Sequence, residues 1–148
     1  MTITENVSLK PYNTFGIDVQ ASVFAELQNL QDIQIFFNTP GYKSVKKIIL
    51  GGGSNILFTK NFEGVVLKIN SKGIILTGET DESVNMKVQA GESWENFTSY
   101  CLNHNYGGIE NLVMIPGNVG SCPIQNIGAY GNEVKDCIES VEVFDMKC

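Results

Sequence analysis

Residues 115–131 read IPGNVGSCPIQNIGAYG, and the interpretation of the whole chain turns on this stretch. Gly117, Gly120, Gly128 and Gly131 recur among short side chains, and no hydrophobic period survives more than a few residues. That pattern argues against a single helix or strand. Glycine permits positive φ and close backbone approach, so the segment suits laying main-chain N–H groups against another object. Asn118, Ser121, Gln125 and Asn126 add side-chain partners for the same object. Two readings stay open: a surface for an anionic or heteroaromatic ligand, or a buried crossover whose glycines only relieve crowding.

A second loop, Gly51-Gly52-Gly53-Ser54-Asn55, follows an apolar strand pattern over 45–50. Three glycines after a strand turn sharply and present several N–H groups, as phosphate oxygens require. No Gly-Lys-Ser/Thr ending follows, which excludes a P-loop, and Ile56 stands where a dinucleotide fingerprint needs its third glycine. The loop reads either as a phosphate site or as an ordinary tight connection.

Composition sets the outer limits. The 148 residues are 43% hydrophobic and carry a formal net charge of -6, so the chain is a folded protein with no basic face for nucleic acid. That balance still admits a nucleotide cofactor held by backbone N–H groups. Cys101, Cys122, Cys137 and Cys148 form no CxxC unit, and His104 is the sole histidine, so no metal site is indicated. Residues 1–10 lack the basic-then-apolar run of a secretory leader, and no apolar stretch is long enough to span a bilayer. A cytoplasmic protein with free thiols, no membrane partner and no metal is expected.

Along the chain, residues 1–16 read as an extended polar arm, with Tyr12 and Phe15 anchoring it to a core and Asn13 and Thr14 making turn bonds. Apolar spacing predicts a helix over 23–30, then either more helix or a strand over 33–37. Strands are expected over 45–50, 65–69, 73–77, 83–90 and 139–146. Ser93 is an N-cap candidate with Glu95 in the first turn behind it, and Trp94, Phe97, Cys101 and His104 mark one buried face. His104 is read as a structural or C-cap residue, Cys122 as a thiol near a possible centre but without a base, and Tyr130 as a ligand contact or a buried anchor. Two helices and seven or so strands give an α+β fold, with a boundary near Asn70 and Ser71.

Four stretches in order carry a resemblance: Asn13-Thr14-Phe15-Gly16; Leu50 through Gly51-Gly52-Gly53-Ser54-Asn55 to Ile56 and Leu57; Gly108-Ile109-Glu110-Asn111-Leu112; and the segment from Ile115-Pro116-Gly117 to Gly131. Together they resemble the N-terminal part of the UDP-N-acetylenolpyruvoylglucosamine reductase family, flavoenzymes of peptidoglycan precursor synthesis. The resemblance implies an FAD-binding domain of the vanillyl-alcohol-oxidase (PCMH) type: 1–70 as one subdomain, 71–148 as a second and incomplete one, and no substrate-binding domain. By the same resemblance, Gly51, Gly52, Gly53, Ser54 and Asn55 hold the pyrophosphate region of FAD. Pro116, Gly117, Val119, Gly120, Ser121, Cys122, Gln125, Asn126 and Gly128 line the flavin and diphosphate, and Tyr130 lies toward the substrate. Cys122 departs from the serine that relatives of this type often carry.

The implied activity is that of an oxidoreductase: NADPH reduces FAD, and UDP-N-acetylglucosamine enolpyruvate is reduced to UDP-N-acetylmuramate. The family's arginine, proton-donating serine and glutamate lie beyond residue 148, so no catalytic residue is assignable. The chain alone is therefore expected to be inactive and to bind FAD weakly or not at all. The rival readings are a non-catalytic flavin- or nucleotide-binding module and a structural fragment.

Overall fold

A computed structural model describes residues 1–146; Cys148, among the thiols considered above, lies outside the described residues. The fold is α+β, with eight strands and two α-helices among the described residues. Its main sheet has four strands in the order β1-β2-β4-β3, where β1 is Thr2–Ser8, β2 Gln20–Leu27, β3 Lys47–Leu50 and β4 Phe62–Ile69. β1 runs antiparallel to β2, and β2 and β3 both run parallel to β4, which lies between them.

Both faces of this sheet are covered. Val65 and Leu67 of β4 pack with Ala25, Leu27 and Phe36 on one face. Val66 packs with Phe24, Leu50, Leu9 and Phe58 on the other. The first face is closed by helix α1, Leu30–Asn38, and the second by the arm around Leu9 and the connection carrying Phe58. Burial on both faces corrects the helix expected over 23–30. Phe24 and Leu27 are three apart, as on a helix stripe, yet they point to opposite faces of a central strand. The open choice over 33–37 resolves as helix. Asn29 caps α1 by accepting from the Asp32 N–H at 2.9 Å, and Asp32 in turn accepts from the Gln28 N–H at 2.9 Å.

After Ile69 the chain forms a hairpin of β5, Ile74–Glu79, and β6, Val84–Val88. Helix α2, Trp94–Asn103, then opens on Ser93 as expected, with the Asn96 N–H donating to its hydroxyl. Trp94 is 2% exposed and donates its indole N–H to the Leu112 carbonyl at 2.7 Å, inside a third cluster with Leu112, Cys122, Ile127 and Val134. His104 is exposed, so the buried face ends at Cys101. The histidine is instead the C-cap, its Nδ1 2.8 Å from the Tyr100 carbonyl and its ring stacked on Tyr100 and Tyr106.

A short ladder of β7, Gly128–Ala129, and β8, Asn132–Glu133, completes the described strands. The strand expected over 139–146 is not formed. Val141 and Val143 alternate, but that segment finds no ladder among the described residues. It is fixed instead by Glu142 on Lys87 and by Phe144 against Phe37, with ring centroids 5.4 Å apart.

Candidate functional site

The site grows from the end of β3. Leu50 closes the sheet core, and the chain then turns through residues 51–55 with Gly53 at φ +73°. A methyl group on Gly53 would lie 2.0 Å from the Tyr12 carbonyl oxygen, so the arm can approach only because no side chain is there. The arm is built for that approach. Buried Asn13 donates to the Leu9 and Ile17 carbonyls and accepts from the Ile17 N–H, while the Thr14 N–H donates to the Gly53 carbonyl at 3.1 Å. Tyr12 packs on Phe24 as expected, whereas Phe15 is exposed and anchors nothing.

The two glycine-bearing loops meet. A Cβ on Gly52 would stand 2.8 Å from Gly117 Cα, the Ser54 hydroxyl donates to the Pro116 carbonyl at 3.1 Å, and the Asn55 amide donates to Gln125 Oε1 at 2.7 Å. Ser121 lies beside Gly51, its hydroxyl donating to the Asn118 carbonyl at 2.7 Å. A small crevice beside this seam is lined by Trp94, Pro116, Gly117, Asn118, Ser121, Cys122, Gln125 and Ile127. Gly52 and Gly117 touch, so the seam leaves no gap between the glycines.

The loops differ in what their N–H groups do. In the second loop the Val119 N–H donates to Glu92 and the Gly120 N–H to Ala90, both at 2.9 Å, and the Trp94 N–H donates to Gly117. A Cβ on Gly120 would lie 2.6 Å from that of Ala90, so Gly120 serves backbone packing. In the first loop no N–H of residues 51–55 is spent on a backbone carbonyl among the described residues. Free N–H groups, the second N–H of the Asn55 amide and the absence of any carboxylate in either loop fit a diphosphate.

Other residues singled out from sequence make their contacts away from the first loop. Cys122 is buried in the third cluster, and burial pushes its thiol up to about 11, leaving it a neutral core group near pH 7. Asn126 is turned to the hairpin, donating to Glu133 at 3.1 Å and accepting from the Lys135 N–H. Gly128 belongs to β7, and Tyr130 is 91% exposed at the hairpin tip with φ +54°. No group of acidic, histidine or cysteine residues able to hold a metal occurs among the described residues, and none of their helices is long and apolar enough to cross a membrane.

Sequence reading missed Lys68 and Lys72. The Lys68 ammonium, half-buried, donates to the Gly51 carbonyl, and the Lys72 ammonium donates to the Gly91 carbonyl, which also accepts from the Asn118 amide at 3.1 Å. The available signal was a lysine interrupting the buried run Val65-Val66-Leu67-Lys68-Ile69. Gly91 was missed too: a Cβ there would lie 2.6 Å from the backbone of Asn70 and Ser71.

Comparison with known proteins gives the same direction from three sides. A family model described as FAD binding domain matches residues 21–147. The UDP-N-acetylenolpyruvoylglucosamine reductases of Flavobacterium johnsoniae and Pseudomonas aeruginosa are 43% and 40% identical to the chain, over 99% and 98% of its length. The chain spans 43% of the length of each of these relatives. The crystal structure of the reductase from Thermus caldophilus superposes with a TM-score of 0.68 at 21% identity, over 91% of this chain and 47% of that one, and shares its fold.

Proposed function

The chain belongs to the FAD binding domain family, and from that premise we propose that the seam of its two glycine loops holds the diphosphate of FAD. We infer further that it is the flavin-binding part of a reductase acting on UDP-N-acetylglucosamine enolpyruvate with NADPH as reductant, as a cytoplasmic step of peptidoglycan precursor synthesis. The observation that carries the reading is the meeting of residues 51–55 with Pro116, Gly117 and Gln125 across more than sixty positions of sequence.

Each part of the seam has a task in that reading. The N–H groups of Gly51, Gly52 and Gly53 would donate to the diphosphate, the second Asn55 N–H would extend the donor set, and Ser54 ties this loop to Pro116. Pro116, Gly117, Ser121 and Gln125 form the other side of the seam against which the first loop rests. Val119, Gly120 and Cys122 hold that side to the Ala90–Glu92 backbone and the Trp94 cluster. Exposed Tyr130 is toward the substrate, and Asn126 and Gly128 hold the hairpin that carries it. When bound, the flavin supplies hydride transfer, and the protein's part is to fix its position and exclude water from it. The family's arginine, serine and glutamate match no residue of this chain, so turnover is not expected from it alone.

The test is a titration of the chain with FAD, following flavin fluorescence and Trp94 emission. Both loops of the seam lie within this chain and meet, so saturable one-to-one quenching, lost in Gly52→Val, is the expected result in place of the weak or absent binding expected from sequence alone. No saturable response at any accessible FAD concentration would sink the reading and leave a structural fragment.

A further inference from the structure

Neither loop at the seam contains a charged residue, yet two ammonium groups lie directly behind it. Lys68 sits in β4 opposite Leu50, the residue that leads into the first loop, and its Nζ donates to the Gly51 carbonyl. Lys72 Nζ donates to the Gly91 carbonyl, which the second loop also reaches through Asn118. Among the described residues neither lysine has a carboxylate at ion-pair distance. Glu26 acts on Lys68 only from further off, its carboxylate accepting from the Asn70 amide at 2.6 Å. Burial and the charge of Lys72 together push the Lys68 ammonium below the usual lysine range, and Glu26 partly opposes them. Lys68 is half-buried and Lys72 exposed, and a like charge beside a half-buried ammonium is unfavourable unless an anion arrives.

The peptide geometry says what Lys68 does. In a trans peptide the C=O of Gly51 and the N–H of Gly52 point in opposite directions. Holding the carbonyl against Lys68 therefore aims the Gly52 N–H away from the sheet, and polarises it as a donor. Resting on the FAD reading above, we propose that Lys68, backed by Lys72, is the positioning residue of an anion site that takes a diphosphate. It fixes the Gly51–Gly52 peptide with its N–H toward the ligand, and the pair supplies the positive charge that both loops lack.

The test has two arms. In the first, the isotope-labelled chain is titrated with inorganic pyrophosphate and watched by NMR; the Gly52 amide and the Lys68 side chain shift saturably. In the second, FAD and riboflavin affinities are compared for the parent chain, Lys68→Met and Lys72→Met, with thermal midpoints as folding controls. Lys68→Met weakens FAD roughly tenfold and Lys72→Met severalfold, with a shallower salt dependence, while riboflavin, which has no phosphate, is unaffected. Unmoved Gly52 and Lys68 signals overturn the proposal, as do FAD affinities within twofold of the parent or a parallel loss of riboflavin binding, the mark of a merely structural role. Pyrophosphate shifts without any FAD binding would remove the flavin reading and leave the anion site standing. FAD binding with no pyrophosphate shift would do the reverse. Should Lys68→Met not fold, the pyrophosphate arm decides alone.

Discussion

Gly53 and Gly16 both sit at positive φ, +73° and +64°, and they separate two reasons for glycine. Nothing lies within 4 Å of a Cβ on Gly16, so alanine there meets only the left-handed backbone penalty, about 1 kcal/mol. A Cβ on Gly53 meets the Tyr12 carbonyl oxygen at 2.0 Å, a backbone atom that moves only if the arm leaves the loop. Gly53→Ala is expected to cost about 3 kcal/mol or more, the left-handed term plus overpacking. Urea unfolding of both variants checks the order. Equal costs would mean that the arm is not held where Asn13 and Thr14 place it. The residue types of this site were legible in the sequence, since runs of glycine with serine and asparagine announce main-chain donors. Which donors are free was not legible. The Val119 and Gly120 N–H groups are consumed by Glu92 and Ala90, partners almost thirty residues away that no local spacing reveals.

At the scale of elements, α1 rests on a carboxylate. Asp32 accepts from the Gln28 N–H and lies 2.9 Å from the Met1 ammonium, and these partners, the Gln28 hydrogen bond first, hold its carboxyl below the ordinary 3.8. A depressed folded value contributes stability above the unfolded value, and that stability is lost as the pH falls through the folded one. Asp32→Asn is therefore expected to lower the urea midpoint at about pH 6 and to shrink the difference from parent near about pH 3. A constant difference across that range would assign Asp32 a packing role only. Elements whose signals are local were read correctly, namely β3 with its glycine loop, the alternating β6 and the Ser93-capped α2. β2 was misread because burial on both faces erases alternation and leaves Phe24 and Leu27 at a helical spacing. Residues 139–146 show the converse, since alternation at Val141 and Val143 makes no strand without a neighbour to pair with.

Across the whole molecule, the seam joins structure that the chain builds separately. The four-stranded sheet is finished by Ile69, and the Trp94 cluster draws only on residues from 94 onward. Besides the continuous chain at Asn70, they are linked by Ser54 on Pro116, Asn55 on Gln125, the Gly52–Gly117 contact, and Phe144 on Phe37. Trp94 is the sole tryptophan, so its fluorescence reports its own cluster, while far-UV circular dichroism is weighted toward the sheet. With the seam intact, both probes are expected to follow one unfolding curve. Ser54→Ala with Asn55→Ala removes two hydrogen bonds worth about 1 kcal/mol each at most, since both are solvent-exposed. That change is small beside either core but falls on the joint, so it is expected to pull the two curves apart more than it lowers either midpoint. FAD bound at the seam would bring them back together, because a ligand touching both loops stabilises only the state in which they meet. Curves that stay superimposed in the double variant, with or without FAD, would show that the clusters are coupled through the Asn70 connection and the Phe144 contact. The seam would then be a consequence of the fold, with no part in holding its halves in register.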